Sequence, residues 1–106
     1  MAEYIQVVTT TDSSDLAGRI AQTLLESRAA ACVQVFGPVQ SKYWWKGKIE
    51  EAEEWVCTIK ARSADYDRIE VLISEAHSYD VPEILAFPVQ HGSQRYLQWL
   101  EAETSR

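Results

Sequence analysis

The stretch "SKYWWKGKIEEAEEW", Ser41 to Trp55, limits what this chain can fold into more than any other. Tyr43, Trp44 and Trp45 stand side by side against a Lys46-Gly47-Lys48 turn. Successive side chains of a strand point to opposite faces, so three adjacent aromatics leave a ring on each face. An isolated surface hairpin has no use for apolar area on both sides of its tip. Something outside the hairpin must cover the second face.

The flanking segments supply the rest of a sheet. "EYIQVVTTTD" is rich in β-branched residues and predicts a first strand over Tyr4 to Thr10. Asp12 or Ser13 then offers a helix N-cap. Leu16, Ala17, Ile20, Ala21, Leu24 and Leu25 follow at helical spacing, with an end expected near Ala29. "ACVQVF" predicts a second strand, interrupted at Gly37-Pro38 and resumed by "VQSKYWW". "EEWVCTIKA" predicts a third, with Trp55, Cys57, Ile59 and Ala61 on its apolar face. A two-residue turn at Lys46-Gly47 would pair odd positions with even ones. Val33 and Val35 therefore share a face with Cys57 and Ile59 only through a three-residue loop or a bulge, and Gly37-Pro38 is the natural bulge.

Ser63 is the expected cap of a second helix whose core face is Tyr66, Ile69, Ile73 and Ala76. "HSYDVPE" reads as a loop and "EILAFPV" as a fourth strand ended by Pro88. Gly92-Ser93 opens a last helix carrying Tyr96, Leu97 and Leu100. The order β-α-β-β-α-β plus a C-terminal helix predicts an α+β, ferredoxin-like sandwich of one domain over residues 1–106, with a long hairpin between the second and third strands.

In that fold both main helices lie on one sheet face, and the far half of the hairpin has no partner in the chain. The aromatics then mark an interaction surface. If Tyr43, Trp44, Trp45 and Trp55 each buried about 100 Å² more on assembly, the gross gain would be about 10 kcal/mol per subunit, before ordering costs. An arm that meets a different surface on the next copy gives a head-to-tail contact, whose closed form is a ring. The competing expectation is that the rings cover the chain's own last helix.

Charge and composition remove several functions. With 16 acidic and 10 basic residues the formal charge is −6, which opposes attachment to phosphate backbones. The third strand also carries "EEAEEWVCTIK" where an RNA-binding sheet would place a basic-aromatic run, so no nucleic acid is expected. Glu50 to Glu54 reads as a solvated strand edge. No apolar run reaches the roughly 18 residues of a membrane span. The start "MAEYIQVVTT" lacks a basic segment and a long apolar one, and the two cysteines have no CxxC spacing. The expected location is the cytoplasm. Catalysis would need a nucleophile with a base, or paired carboxylates in a pocket. The only hydroxyl cluster, Thr9 to Thr11, has no histidine beside it in sequence.

The blocks "RAAACVQVFGPVQSKYWWKGKIEEAEEWVCTIKAR" and "HSYDVPEILAFPVQHGSQRYLQWL" resemble the CutA family, the divalent-cation tolerance proteins, from about Val7 to Leu100. "YWWKGKIEE", "YDVPEI" and "YLQWL" are the most specific pieces. The resemblance implies a ferredoxin-like homotrimer, similar to the PII signalling proteins, joined through its hairpins. It also implies a part in tolerance of copper and other divalent ions. In some members copper is assigned to a cysteine near the end of the first strand and to a histidine pair. Here Thr9 holds the first position and the pair reads Ala76-His77, so only His77 matches.

The candidate metal set is therefore His77, Cys32, Asp80 and Glu83, for a divalent ion with copper foremost. Cys32 and His77 are expected roughly 15–20 Å apart in one subunit, so that they meet only across a subunit boundary. His77, Asp80 and Glu83 share one loop. The alternative to a metal role is a PII-like sensor of a small anionic metabolite, or a trimeric scaffold.

Overall fold

The computed structural model describes residues 2–105. In chain order the elements are β1 (Tyr4–Thr11), α1 (Ser14–Glu26), β2 (Cys32–Trp45), β3 (Lys48–Arg62), α2 (Tyr66–Ala76), β4 (Ile84–Pro88) and α3 (Gln94–Thr104). The strands form one sheet in the order β2-β3-β1-β4, and every neighbouring pair is antiparallel.

Alternation along the strands makes two faces. Ile5, Val7, Thr9 and Thr11 of β1 and Cys57, Ile59 and Ala61 of β3 are buried on the first face. They share a core with Leu16, Ala17, Ile20 and Leu24 of α1 and Ile69 and Ile73 of α2. Of the two cap candidates the structure selects Ser13, whose hydroxyl accepts from the Leu16 N–H at 3.1 Å. The helix closes at Glu26, three residues earlier than expected. Arg28 takes φ 60, and the N–H of Ala29 turns back to the carbonyl of Leu24. A left-handed closing residue is usually glycine, and with arginine there the sequence carries no stop signal.

Two expectations for α2 are corrected. The Ser63 hydroxyl does not cap the helix but donates to the Ala2 carbonyl at 2.6 Å, while residues 63–65 form a single 3-10 turn. Ala76 is exposed, and Leu72 packs on the core beside Tyr66, Ile69 and Ile73. The other helix, α3, is capped by Ser93 and occupies the second sheet face at one end only. There the Tyr4 hydroxyl donates to Glu101, and Arg62 donates to Glu101 and to the Thr104 carbonyl. Val8 of this face is half-buried, and Phe36, Leu85 and Phe87 are exposed.

The hairpin register carries the expected correction. Val33 pairs with Ile59 and Val35 with Cys57. Between Phe36 and Val39 the register shifts, and Trp45 then pairs with Lys48 across a two-residue turn. Lys46 and Gly47 have φ 51 and 80, the all-positive pair of a type I′ turn. The bulge at Gly37-Pro38 thus supplies the change of parity. A Cβ at Gly37 would sit 2.8 Å from Trp55 Cδ1 and 2.9 Å from the Glu54 carbonyl, so glycine is required where the strands press together. Beyond Thr11, which pairs with Trp55, β1 stops and the Lys48–Glu54 half of β3 continues without it. The ribbon stretches the molecule to 44 × 26 × 22 Å.

Candidate functional site

The ribbon carries apolar area on both faces of its tip. Trp44 and its partner Ile49 are 72% and 63% exposed, and on the other face Tyr43 and Trp45 are 40% and 42% exposed. The last helix does not cover them, because α3 is tied to Arg62, at the far end of β3 from the turn. Trp55 differs from the other three: it is half-buried and packs against the core.

The second wall of the site is the loop after α2, held by His77. The backbone N–H of Tyr79 donates to Nδ1 at 3.1 Å, which puts the proton on Nε2. That N–H then donates to the Thr10 carbonyl at 2.7 Å. Both ring nitrogens are therefore used to fasten the loop to the end of β1. The ring also lies against Tyr79, with centroids 4.9 Å apart. Tyr79 in turn reaches the ribbon, its hydroxyl donating to Glu54 Oε2 at 2.8 Å. Burial, then the bond to Glu54, push the Tyr79 hydroxyl well above the usual tyrosine range.

Between ribbon and loop lies a cleft of about 790 Å³, within the usual span for small-molecule sites. Tyr43, Trp45 and Tyr79 line it, as do the carboxyl-bearing residues Glu54, Asp80 and Glu83. Lys42 lies at its rim, but its ammonium group is 3.0 Å from Glu51. The field in the cleft is negative.

Glu54 corrects the reading of Glu50 to Glu54 as one solvated edge. It is only 6% exposed, whereas Glu50, Glu51 and Glu53 remain in solvent. Its burial depends on where the distant loop places Tyr79, which no local pattern in "EEAEE" encodes. The alternation after the bulge was readable, and it puts Glu54 on the face of Tyr43 and Trp45.

The four candidate ligands do not come together in one chain. Cys32 pairs with Lys60, which pairs with Gln6, while His77 is bonded at Thr10. The two sites are thus four residues apart along the strands, about 13 Å, and two strands apart across the sheet. Asp80 and Glu83 border the cleft beside the His77 clip. Among the described residues no three His, Cys, Asp or Glu side chains are grouped to hold a metal ion. Cys57 is fully buried, and burial pushes its thiol up to about 11. Thr9 is also fully buried, and among the described residues its hydroxyl has no hydrogen-bond partner.

An antiparallel sheet with its helices, a long aromatic ribbon and an acid-lined cleft defines an α+β protein. Its relatives agree on the family. The profile of the CutA1 divalent ion tolerance protein matches residues 5–103, and the chain belongs to that family. A divalent-cation tolerance protein CutA from Archaeoglobus fulgidus is 40% identical over 92 residues, 87% of this chain and 89% of the relative. Its solved structure, described as periplasmic, superposes with a TM-score of 0.93 at 37% identity, covering 95% of this chain and 98% of that one. The crystal structure of CutA1 from Shewanella sp. SIB1 gives a TM-score of 0.95 at 38% identity, covering 99% and 98%. Plant and vertebrate relatives are longer, and this chain spans about half of them, 56% of the rice protein and 53% of the human one.

Proposed function

We propose that this protein serves divalent-cation tolerance as a homotrimer that binds cations weakly, with copper the first ion to test, in clefts between subunits. The observation that carries the reading is the ribbon. Tyr43, Trp44 and Trp45 offer apolar area on both faces, and much of it stays exposed among the described residues. Three copies joined head to tail would cover these rings and the bare sheet face around Phe36, Leu85 and Phe87. Trp55, already on the core, would brace the base of the arm. The strand order β2-β3-β1-β4 with the β-α-β-β-α-β succession is read as the ferredoxin-like arrangement.

Weak binding follows from the donors. A metal ion that takes His77 must displace either the Thr10 carbonyl or the Tyr79 N–H. Asp80 and Glu83 offer hard oxygen ligands, and Cys32 could join only from another copy. A small anionic metabolite is the weaker alternative, since it would sit beside Glu54, Asp80 and Glu83. No catalytic role is assigned: Thr11 donates to the Ser13 carbonyl, and Thr9 is sealed in the core. Cytoplasmic residence is part of the proposal. No helix among the described residues is long and apolar enough to cross a membrane, and cell fractionation would test the location directly.

Sedimentation and calorimetry test the two halves separately. A trimer that weakens in Trp45→Ala is expected, and an unchanged trimer at nanomolar concentration would refute the role of the ribbon. Copper titrations should give a weak isotherm that is reduced in the Asp80→Asn, Glu83→Gln double variant and altered in His77→Ala. Isotherms identical to wild type would remove these residues from the cation site.

A further inference from the structure

The two bonds of the His77 ring are not equivalent. Nε2 carries the proton and donates to the Thr10 carbonyl at 2.7 Å, on β1, the strand between β3 and β4. Nδ1 is the unprotonated nitrogen, and its lone pair accepts from the backbone N–H of Tyr79 at 3.1 Å. A metal ion takes the lone pair of a neutral imidazole, while the other ring nitrogen ordinarily donates to a carbonyl or carboxylate that fixes the ring. His77 already has that arrangement, with Nδ1 as the ligating atom and Thr10 as the orienting partner. Ligation at Nε2 would instead require loss of its proton and of a bond to the sheet.

Nδ1 is screened by the amide of Tyr79, and the side chain of the same residue holds that amide in place. The Tyr79 hydroxyl donates to Glu54 Oε2 at 2.8 Å, and its ring lies against the imidazole. A bond to a carboxylate is among the stronger kinds, and Glu54 is buried, so water competes poorly for it. Ser78 and Asp80 on either side are exposed. Tyr79 is thus the point at which this stretch is pinned to the ribbon.

We infer that Tyr79 is a gate on His77: its bond to Glu54 keeps the amide over Nδ1, and copper gains that nitrogen only when the bond opens. Affinity through a site that is open for a fraction of the time is reduced by that fraction, so a looser bond raises it. Oxygen-seeking ions, for which the carboxylates of Asp80 and Glu83 suffice, do not pass the gate. The inference rests on the cation reading above and names the ring nitrogen that the ion takes. It uses no ring at the ribbon tip, so a neighbouring copy that covers Tyr43 and Trp45 leaves it in place.

The test is calorimetric titration of the full chain with copper(II) and, separately, manganese(II) chloride, in wild type, Tyr79→Phe, His77→Ala and the double variant. Tyr79→Phe deletes the hydroxyl while keeping the ring and the net charge, so it loosens the gate without changing the field. Copper should bind Tyr79→Phe about fivefold more tightly than wild type, the gain should vanish in the double variant, and manganese affinity should stay within about twofold. At limiting copper, electron paramagnetic resonance should show a larger share of imidazole-coordinated ion in Tyr79→Phe, and the amide at position 79 should exchange faster with deuterium. Copper affinity in Tyr79→Phe at or below that of wild type, a gain that survives His77→Ala, or an equal gain for manganese would each overturn the inference. Where the first of these accompanies wild-type copper binding that is lost in His77→Ala, the gate alone falls and the cation reading stands. Copper heats absent from all four proteins would overturn both.

Discussion

Replacing Gly37 with alanine adds one methyl group at the point where the ribbon changes register. The new Cβ would stand 2.8 Å from Trp55 Cδ1, 2.9 Å from the Glu54 carbonyl and 3.0 Å from Trp55 Cγ, all inside van der Waals contact. Two of these atoms belong to an indole held against the core and one to the backbone, so none yields cheaply. Overpacking of this kind costs about 1–3 kcal/mol. The φ of 155, which L-residues rarely adopt, adds about 1 kcal/mol. With a urea m-value of about 1.5 kcal/mol/M, a total of about 2–4 kcal/mol lowers the midpoint by about 1.3–2.7 M at fixed protein concentration. Gly18 supplies the control. It sits within α1 with nothing within 4 Å of an added Cβ, so Gly18→Ala should raise stability by about 0.5–1 kcal/mol. One substitution with opposite signs at two sites separates packing from propensity. Gly37→Ala within 0.5 kcal/mol of wild type would refute the claim that the bulge is sterically fixed.

Thr9→Val removes a buried hydroxyl that has no partner among the described residues, at nearly constant shape, and should stabilise the fold by about 1 kcal/mol in urea titration. A loss of stability would mean that the hydroxyl is satisfied. Arg62→Met deletes the bonds to Asp65, Glu101 and the Thr104 carbonyl. It should cost about 1–2 kcal/mol, discounted for partial exposure, and speed hydrogen exchange of the α3 amides before those of β1. Uniform exchange would show that Arg62 does not hold the helix. Burial pushes the Cys57 thiol up to about 11 in the fold, from about 9.0 for an exposed thiol in the unfolded chain. Its neutral form is the one the fold favours, so this contribution is complete below pH 9 and is lost as the pH rises towards 11. Over that interval wild type should lose about 2–3 kcal/mol more than Cys57→Ala, and parallel pH curves for the two would contradict this.

Period-two alternation was enough to demand a change of parity in the ribbon, and only Gly37-Pro38 could provide it without disturbing the turn. Ser13 and Ser93 were readable as caps because each precedes an apolar helical stripe. Ser63 was not, since its hydroxyl is claimed by Ala2, 61 residues away in the chain. The end of α1 was hidden because arginine, not glycine, takes the left-handed position. At the site, the exposed rings were legible from their crowding at the turn. The burial of Glu54 and the full engagement of His77 were not, because both depend on the path of residues 77–83 back to β1 and β3. Residue type marked His77 as a donor, whereas its surroundings make it a fastening.

That fastening has a mechanical consequence. The imidazole grips a carbonyl of β1, a strand paired on both sides, and the amide of Tyr79 two residues further on. Tyr79 then grips the ribbon through Glu54. Sheet centre, loop and arm are thereby geared together, so a push at the tip is delivered to the middle of the molecule instead of being dissipated in a slack connection.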